Sequence, residues 1–456
     1  MMVISSRAAR VLAVLLVLPL AGCVTYRARP IRPGESERAL AARRLTDPRL
    51  LRFLAIEEHR SGLPRWDLRT LTLVATYERP DMALAAARLG EARAGQITAA
   101  ELPNPTLSIQ PTYNTTKTFP SPWKVGPIVS FLIRPFGVRP ALIARARAQA
   151  EAAREAIAVT AWQLRGKVRA ALIALWAAKR AATLSVRALA VASRYRRAVA
   201  QRYRAGMVSA TALTTATLEQ EQAQLEAAGS ERRLRLARTG VAMALGLPVA
   251  ALQGVRLDLA GISRPRHPGH LGPLIHAALI SRPDVLAALA RYRASEAALR
   301  LAIARQYPSI QIGPGYQYDQ AKNKFILAVS RPLPILNQNQ GPIAQARAAR
   351  RVAAAQFRAA QARALAQIER AQTDWQGSET ELDNARQVRA SAADVLLRRR
   401  TEFGAGQIGR LRLLGAEEVL VKAGRGALAA SVHERIALGE LEAALYHPFL
   451  IATGRR

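Results

Sequence analysis

Cysteine occurs once in these 456 residues, so the chain alone can build neither a disulfide framework nor a cysteine-rich metal site. Aromatic residues are also scarce, at 5%. Half of the residues are hydrophobic, and with so few rings this apolar content is mainly alanine, leucine and valine, a composition that favours helices and disfavours an all-β sandwich or disorder. Carboxylates are outnumbered: 32 Asp and Glu face 67 Lys and Arg, a formal net charge of +35, and only seven of the cations are lysines. Such a charge suits acidic lipid, anionic solutes or nucleic acid. Beyond the N-terminus, no run offers the roughly 18 uninterrupted apolar residues of a membrane helix.

The first residues bear on the compartment. Arg7 and Arg10 precede an apolar run from Val11 to Leu18, which is too short to span a bilayer and has the layout of a secretory signal over residues 1–22. The ending Leu20-Ala21-Gly22-Cys23 resembles a bacterial lipobox, which implies that Cys23 is lipidated and becomes the mature N-terminus. An ordinary signal peptide followed by an incidental cysteine is the alternative. Export argues against a nucleic-acid partner.

The chain repeats itself. Arg79-Pro80-Asp81 recurs as Arg282-Pro283-Asp284, and the same shift of 203 carries Pro105 to Pro308, Ile109 to Ile312 and Tyr113 to Tyr316. The shift then becomes 200, carrying Ile143-Ala144 to Ile343-Ala344, Ala205-Gly206 to Ala405-Gly406 and Pro248 to Pro448. Prolines and glycines anchor this spacing, which alanine-rich composition does not explain, so the chain is a tandem duplication.

Each copy has the same order of elements. Helical patterns enter through Pro-Asp, at Asp81 to about Leu102 and Asp284 to about Gln306. Period-two runs follow: Leu107, Ile109, Pro111 and Tyr113, then Val125 to Ile133, in the first copy; Ile310, Ile312, Pro314, Tyr316 and Tyr318, then Phe325 to Val329, in the second. Alternate positions are polar or small, so each copy contributes a hairpin with one apolar face. Stretches without internal proline from Ala141 to Ala205 and from Pro342 to Ala405 then predict helices roughly 95 Å long. Gly206 and Gly406 end them, and return helices follow to Leu247 and Tyr446. The Gly/Pro-rich segment between copies reads as irregular.

Taken together, this order resembles the TolC family of outer-membrane efflux proteins, in its lipoprotein branch, over about residues 66–448. The Arg-Pro-Asp elements and the turns Tyr203-Arg204-Ala205-Gly206 and Phe403-Gly404-Ala405-Gly406 carry the likeness. The resemblance implies a mainly α chain with a membrane β-barrel: three chains give twelve strands, four from each, continued by a long periplasmic helical tunnel. A membrane sheet must in any case close on itself, and four strands make no roomy barrel. The expected divisions are a signal peptide at 1–22, a lipid-anchored extension at 23–65, a first repeat at 66–248, a connector at 249–281, a second repeat at 282–448 and a tail at 449–456.

The resemblance also implies a passive conduit exporting solutes, and as partners a homotrimer, a periplasmic adaptor, an inner-membrane pump and outer-membrane lipid. Type I protein secretion uses a similar conduit and stays open as an alternative, as does a coiled-coil lipoprotein scaffold that does not transport. The expected lipid-facing positions are Ile109, Tyr113, Ile310, Ile312 and Tyr316. In the family, acids early in the return helix ring the periplasmic entrance; the matching positions here are Ala212 and Thr215 in one copy and Arg412 and Gly415 in the other. Arg412 is therefore the candidate entrance residue, facing the passage or the solvent according to the helix rotation. His267 and His270 have a ligand-like spacing and His276 lies nearby, but the segment is Pro/Gly-rich, has no neighbouring cysteine and has Asp258 as its nearest preceding acid. Glu57-Glu58-His59 is no better, so they read as surface residues. Phosphate loops, nucleophile elbows and metalloprotease helices are missing, so no enzyme, cofactor or metal is expected.

Overall fold

The computed structural model describes residues 24–59, 62, 64–116, 120–265 and 268–449. The chain divides into two units between Arg43 and Arg44. Within residues 24–43 lies one helix, α1 (Pro33–Ala41), with Pro33 at its start and no buried residue. The second unit contains both repeats.

In the second unit, α2 (Pro48–Glu58) and α3 (Leu68–Glu78) lead into the first repeat: α4 (Pro80–Ala100), β1 (Thr106–Ile109), β2 (Thr112–Tyr113), β3 (Trp123–Val125), β4 (Pro127–Ile133), α5 (Val138–Arg204) and α6 (Ala210–Leu245). A 3-10 turn at Val249–Leu252, α7 (Ala260–Ser263) and α8 (Leu271–Ser281) follow. The second repeat comprises α9 (Pro283–Ala304), β5 (Ile310–Asp319), β6 (Lys322–Ser330), α10 (Gln340–Gly404) and α11 (Arg410–Leu445). The connector read as irregular over 249–281 is thus helical from Leu271. At the 203-residue shift α8 is the counterpart of α3, so the second copy begins before Arg282. Gly272 and Pro273 disguise this helix in the sequence, yet both sit in its first turn, where proline's missing N–H leaves no hydrogen bond unmade.

Register resolves the sheet into four strands. Thr106 to Ile109 pair with Ser130 to Pro127, and Thr112 and Tyr113 pair with Lys124 and Trp123, one continuous antiparallel register interrupted where Pro111 cannot donate. Val125 opposite Tyr318 and Ile128 opposite Gly315 likewise continue one register through Gly126 and Pro127. A Cβ on Gly126 would lie 1.9 Å from the Tyr316 carbonyl oxygen, so only glycine lets these backbones approach. β5 and β6 pair from Gln311–Ser330 to Asp319–Lys322, leaving a two-residue turn whose Gln320 and Ala321 both take positive φ. The strand order follows the chain, and the first and last strands are each hydrogen bonded on one side only.

The helices fold back on one another. α5, with 67 residues, extends about 100 Å and packs against α4, α6, α9 and α11; α10, with 65, packs against α9 and α11. Their cores are duplicated too. Leu71 and Val74 of α3 bury against Val168, Leu172 and Trp176 of α5 and Val241 and Leu245 of α6. Ala278 of α8 buries against Ile368 and Trp375 of α10 and Leu438, Leu441 and Leu445 of α11. By length and composition the stretch Leu271–Ala304 could cross a membrane, but it breaks into α8 and α9 at the buried Arg282, and both helices pack against α10.

Candidate functional site

Alternation along the registered strands sorts the sheet into two faces. Ile109, Pro127, Tyr316 and Phe325 form one row across four strands; Leu107, Val129, Pro314 and Leu327 form the next, then Phe131, Ile312 and Val329, then Ile133 and Ile310. All five expected lipid-facing residues lie on this apolar face, Tyr113 in the flanking row opposite Trp123 with ring centroids 5.0 Å apart. Much of the face is open in the single chain, with Phe325 91% exposed and Leu327 66%. The other face is small or polar: Ser130, Gly313 and Ala328 in one row, Gly126, Gln317 and Lys324 in another, Lys124, Asp319 and Lys322 at the end away from the helices. Lys324 Nζ lies 2.8 Å from Asp319, so three lysines there meet one strand carboxylate. Residues 94–133 and 306–330 contain no arginine but four of the seven lysines.

At the opposite end of the helices, both glycine turns have the same construction. Gly206 and Gly406 take φ of 70° and 71°, and each turn closes with paired backbone bonds: Gly206 N–H donates to Tyr203 O and Met207 N–H to Arg202 O, each at 2.9 Å, and Gly406 and Gln407 repeat this on Phe403 and Glu402. The tips are neighbours, since a Cβ on Gly409 would stand 3.5 Å from an Arg202 guanidinium nitrogen. Arg412 is exposed at the start of α11, and its N–H donates to Gly409 O. Ala212 is half-buried, and Thr215 is exposed with its hydroxyl donating to Thr211 O. Two acids escaped the sequence count because they stand farther along the return helices. Glu219 of α6 has its carboxyl pushed up by burial and by the charge of Glu418 on α11.

Between the two ends lies a joint that the repeated Arg-Pro-Asp marks but does not explain from sequence. Arg79 donates to Asp81 at 2.6 and 2.9 Å and to the Met243 carbonyl at the end of α6 at 2.9 Å. Arg282 does the same to Asp284 and to the Ala444 carbonyl of α11, adds Gln367, and lies 4.9 Å from the centre of the Tyr446 ring. The proline starts the helix, the aspartate holds the guanidinium, and the guanidinium donates to a carbonyl in the last turn of the return helix, which at Met243 also accepts from the Gly246 N–H. The repeats are then braced to each other: Arg165 and the buried Arg169 of α5 both engage Glu442 of α11. Burial lowers the Arg169 pKa and Glu442 opposes the shift.

Cys23 and His267 lie outside the described residues. His270 and His276 are exposed, and His59 ends α2 in a left-handed cap. Among the described residues no group of three or more His, Cys, Asp or Glu is placed to hold a metal.

A family model described as "Outer membrane efflux protein" matches residues 74–247 and 274–445, the second match opening inside α8. The chain is 26% identical over 266 residues to the cobalt-zinc-cadmium resistance protein CzcC of Cupriavidus metallidurans; the match covers 57% of this chain and 61% of that relative, so the chain spans about three fifths of its length. Among solved structures, VceC, an outer membrane protein of Vibrio cholerae, aligns with a TM-score of 0.68 at 18% identity, covering 84% of this chain and 97% of that one. The open-state MtrE outer membrane channel of Neisseria gonorrhoeae aligns at 0.65 with 18% identity, covering 83% and 89%.

Proposed function

The chain belongs to the outer membrane efflux protein family, and we propose that it is the outer-membrane conduit of a multi-protein export system. One observation carries this reading: a four-stranded sheet with one apolar face and two unpaired edges stands at the head of helical hairpins about 100 Å long. Open edges and an exposed apolar face are unstable alone, and closure with further copies in lipid satisfies both. Three copies give twelve strands, with the apolar rows toward lipid and the rows of Gly313, Gln317 and Lys124 toward water. A scaffold that does not transport has no use for such a sheet.

The helices would span the periplasm and meet an adaptor and an inner-membrane pump, which supply the energy, since a conduit needs no catalytic group. Divalent metal ions are the first cargo to test, because the curated relative is named for cobalt, zinc and cadmium resistance. Lipidation of Cys23 would assist sorting, each buried methylene contributing roughly 0.8 kcal/mol, while the barrel provides firmer insertion. Mass spectrometry of the mature N-terminus checks it: an unmodified cysteine refutes it. For the conduit itself, the purified protein in planar bilayers should conduct ions; a well-folded trimer without conductance overturns the reading. Sensitivity of a deletion strain to metals and drugs then separates the cargo classes.

A further inference from the structure

α5 and α11 pack along each other, and grooves open beside their contact. The groove between α5, α6 and α11 is lined mostly by alanine and leucine, with a Ser185–Ser230 hydrogen bond at its base. The groove between α5, α10 and α11, about 630 Å³, is different: Arg180, Arg187 and Arg194 line it from α5, and Arg386, Arg389 and Arg400 from α10. The three on α5 are seven residues apart, so they form one stripe with rungs about 10 Å apart. The floor on α11 is small and apolar at Gly424, Ala427 and Leu428.

Among the described residues, only one acid lines this groove. Glu417 engages Arg194 at 2.6 Å and approaches Arg400 at 4.0 Å, which satisfies one end, and Arg386 turns to Asp383 on its own helix at 2.9 Å. Arg180, Arg187 and Arg389 have no carboxylate partner among the described residues. Crowding is felt by a neighbour: Arg435, buried and 4.3 Å from the centre of the Trp176 ring, has its pKa lowered first by burial and further by the charges of Arg386 and Arg180. A solvated basic face would spread such charges over a convex surface. Here two helices turn them into one concavity, where low-dielectric walls focus the field and guanidinium forks match the geometry of phosphate and carboxylate oxygens.

We propose that this groove is a binding site for a small phosphate-class oxyanion carrying two or more negative charges, held by Arg180, Arg187 and Arg389. The site does not depend on the chain's being a conduit, and nothing in the duplication requires it: at the 200-residue shift these arginines correspond to Thr380, Gln387 and Leu189.

Calorimetric titration of inorganic pyrophosphate into the full-length protein in detergent, at low and fixed ionic strength, tests the site. Saturable binding of one pyrophosphate per chain is expected, weakened at least tenfold in an Arg187→Gln/Arg389→Gln variant and in Arg180→Gln. A variant carrying Arg232→Gln and Arg238→Gln, exposed arginines of α6 outside the groove, should bind as the wild type does. All these side chains are exposed or partner-free, so helical circular dichroism should be unchanged. No saturable heat, or equal weakening by the α6 control, overturns the proposal, the latter by reducing it to non-specific charge. Binding of a glutamate-rich peptide without binding of pyrophosphate overturns it in favour of an acidic protein partner.

Discussion

The two repeats share an order of elements and diverge at the same three levels: sheet, joint and tip. In the sheet, the first repeat has strands interrupted at Pro111 and Pro127, whereas the second has a tight hairpin closed by Gln320 and Ala321. Beside it, the first repeat holds the end of its entry helix with Arg139 donating to Ala100 O, and the second uses Asn339 Nδ2 on Ala302 O at 2.6 Å, the same position at the 200-residue shift. At the joint, Arg79 is partly exposed and meets Gly246, whereas Arg282 is 3% exposed and lies over Tyr446. At the tip, Ser209 caps α6 through its hydroxyl, whereas Gly409 offers α11 no side-chain cap and Arg412 follows. Duplication conserves where the backbone must turn; what fills each turn is free to specialise.

The joint should show the largest asymmetry. Arg282→Ala removes a guanidinium that is itself 3% exposed, although its Asp284 partner is 36% exposed, and leaves the buried Ala444 carbonyl without that donor, a loss of about 1.5–3 kcal/mol. The same change at Arg79, whose guanidinium side chain is 20% exposed and so already partly hydrated, should cost less, about 0.5–1.5 kcal/mol. Urea titrations followed by the helical circular dichroism signal check the order. Equal losses would mean that burial does not distinguish the two joints.

A smaller asymmetry concerns the residues that end the return helices in left-handed conformation, Gly246 at φ 75° and Tyr446 at φ 50°. Gly246→Ala imposes a left-handed alanine, about 1–2 kcal/mol, and brings its Cβ to 3.0 Å from Arg79 Cγ. Tyr446→Gly relieves a similar strain but forfeits the ring's contacts with Arg282 and Trp162, each worth about 0.5–2 kcal/mol. Unfolding midpoints should therefore fall for Gly246→Ala and move little for Tyr446→Gly. A clear gain in the tyrosine variant would show that the rings contribute nothing.

These contrasts mark what the sequence could tell. Constant shifts of 203 and 200, period-two faces and the terminal glycines make the repeat order, both turns and the shared apolar-face parity of Ile109, Ile312 and Tyr316 legible, because each depends on local spacing. The helix α8 was hidden by Gly272 and Pro273. The arginine clips were legible only as repeated motifs, since their acceptors, Met243 O and Ala444 O, lie more than 160 residues away in the chain. Convergence of Arg180 with Arg389 was illegible for a related reason: the rotations of two separate long helices set it, and composition shows only many arginines.

The tips differ by charge, which should appear in ion preference before stability. Exposed Arg412 has Ala212 as its counterpart, so threefold assembly would place three cations around the entrance. In planar bilayers, Arg412→Asp should shift the reversal potential toward cation preference by several-fold in permeability ratio, while Ala212→Ser should not move it. An unchanged potential in the arginine variant removes Arg412 from the passage.

The least asymmetry, and the finest test, is a pH dependence confined to the second repeat. His433 on α11 lies between two acids of α10, with Nδ1 2.8 Å from Glu381 and Nε2 3.5 Å from Asp374. Its counterpart Arg233 donates instead to its own helix at Gly229 O. The hydrogen bond to Glu381 and the charge of Asp374 raise the His433 pKa above its ordinary 6.5. A raised folded pKa means the folded state holds the proton more tightly. The contribution is then complete below about pH 6.5 and lost as the pH rises through the higher folded value. Nearly half of the side chain is exposed, so solvent screens the effect and the shift in thermal midpoint should be small. The wild type should lose more stability between pH 6 and pH 9 than His433→Gln, which keeps a polar side chain but no titrating one. Parallel pH profiles for the two proteins would show that the histidine does not tie α11 to α10.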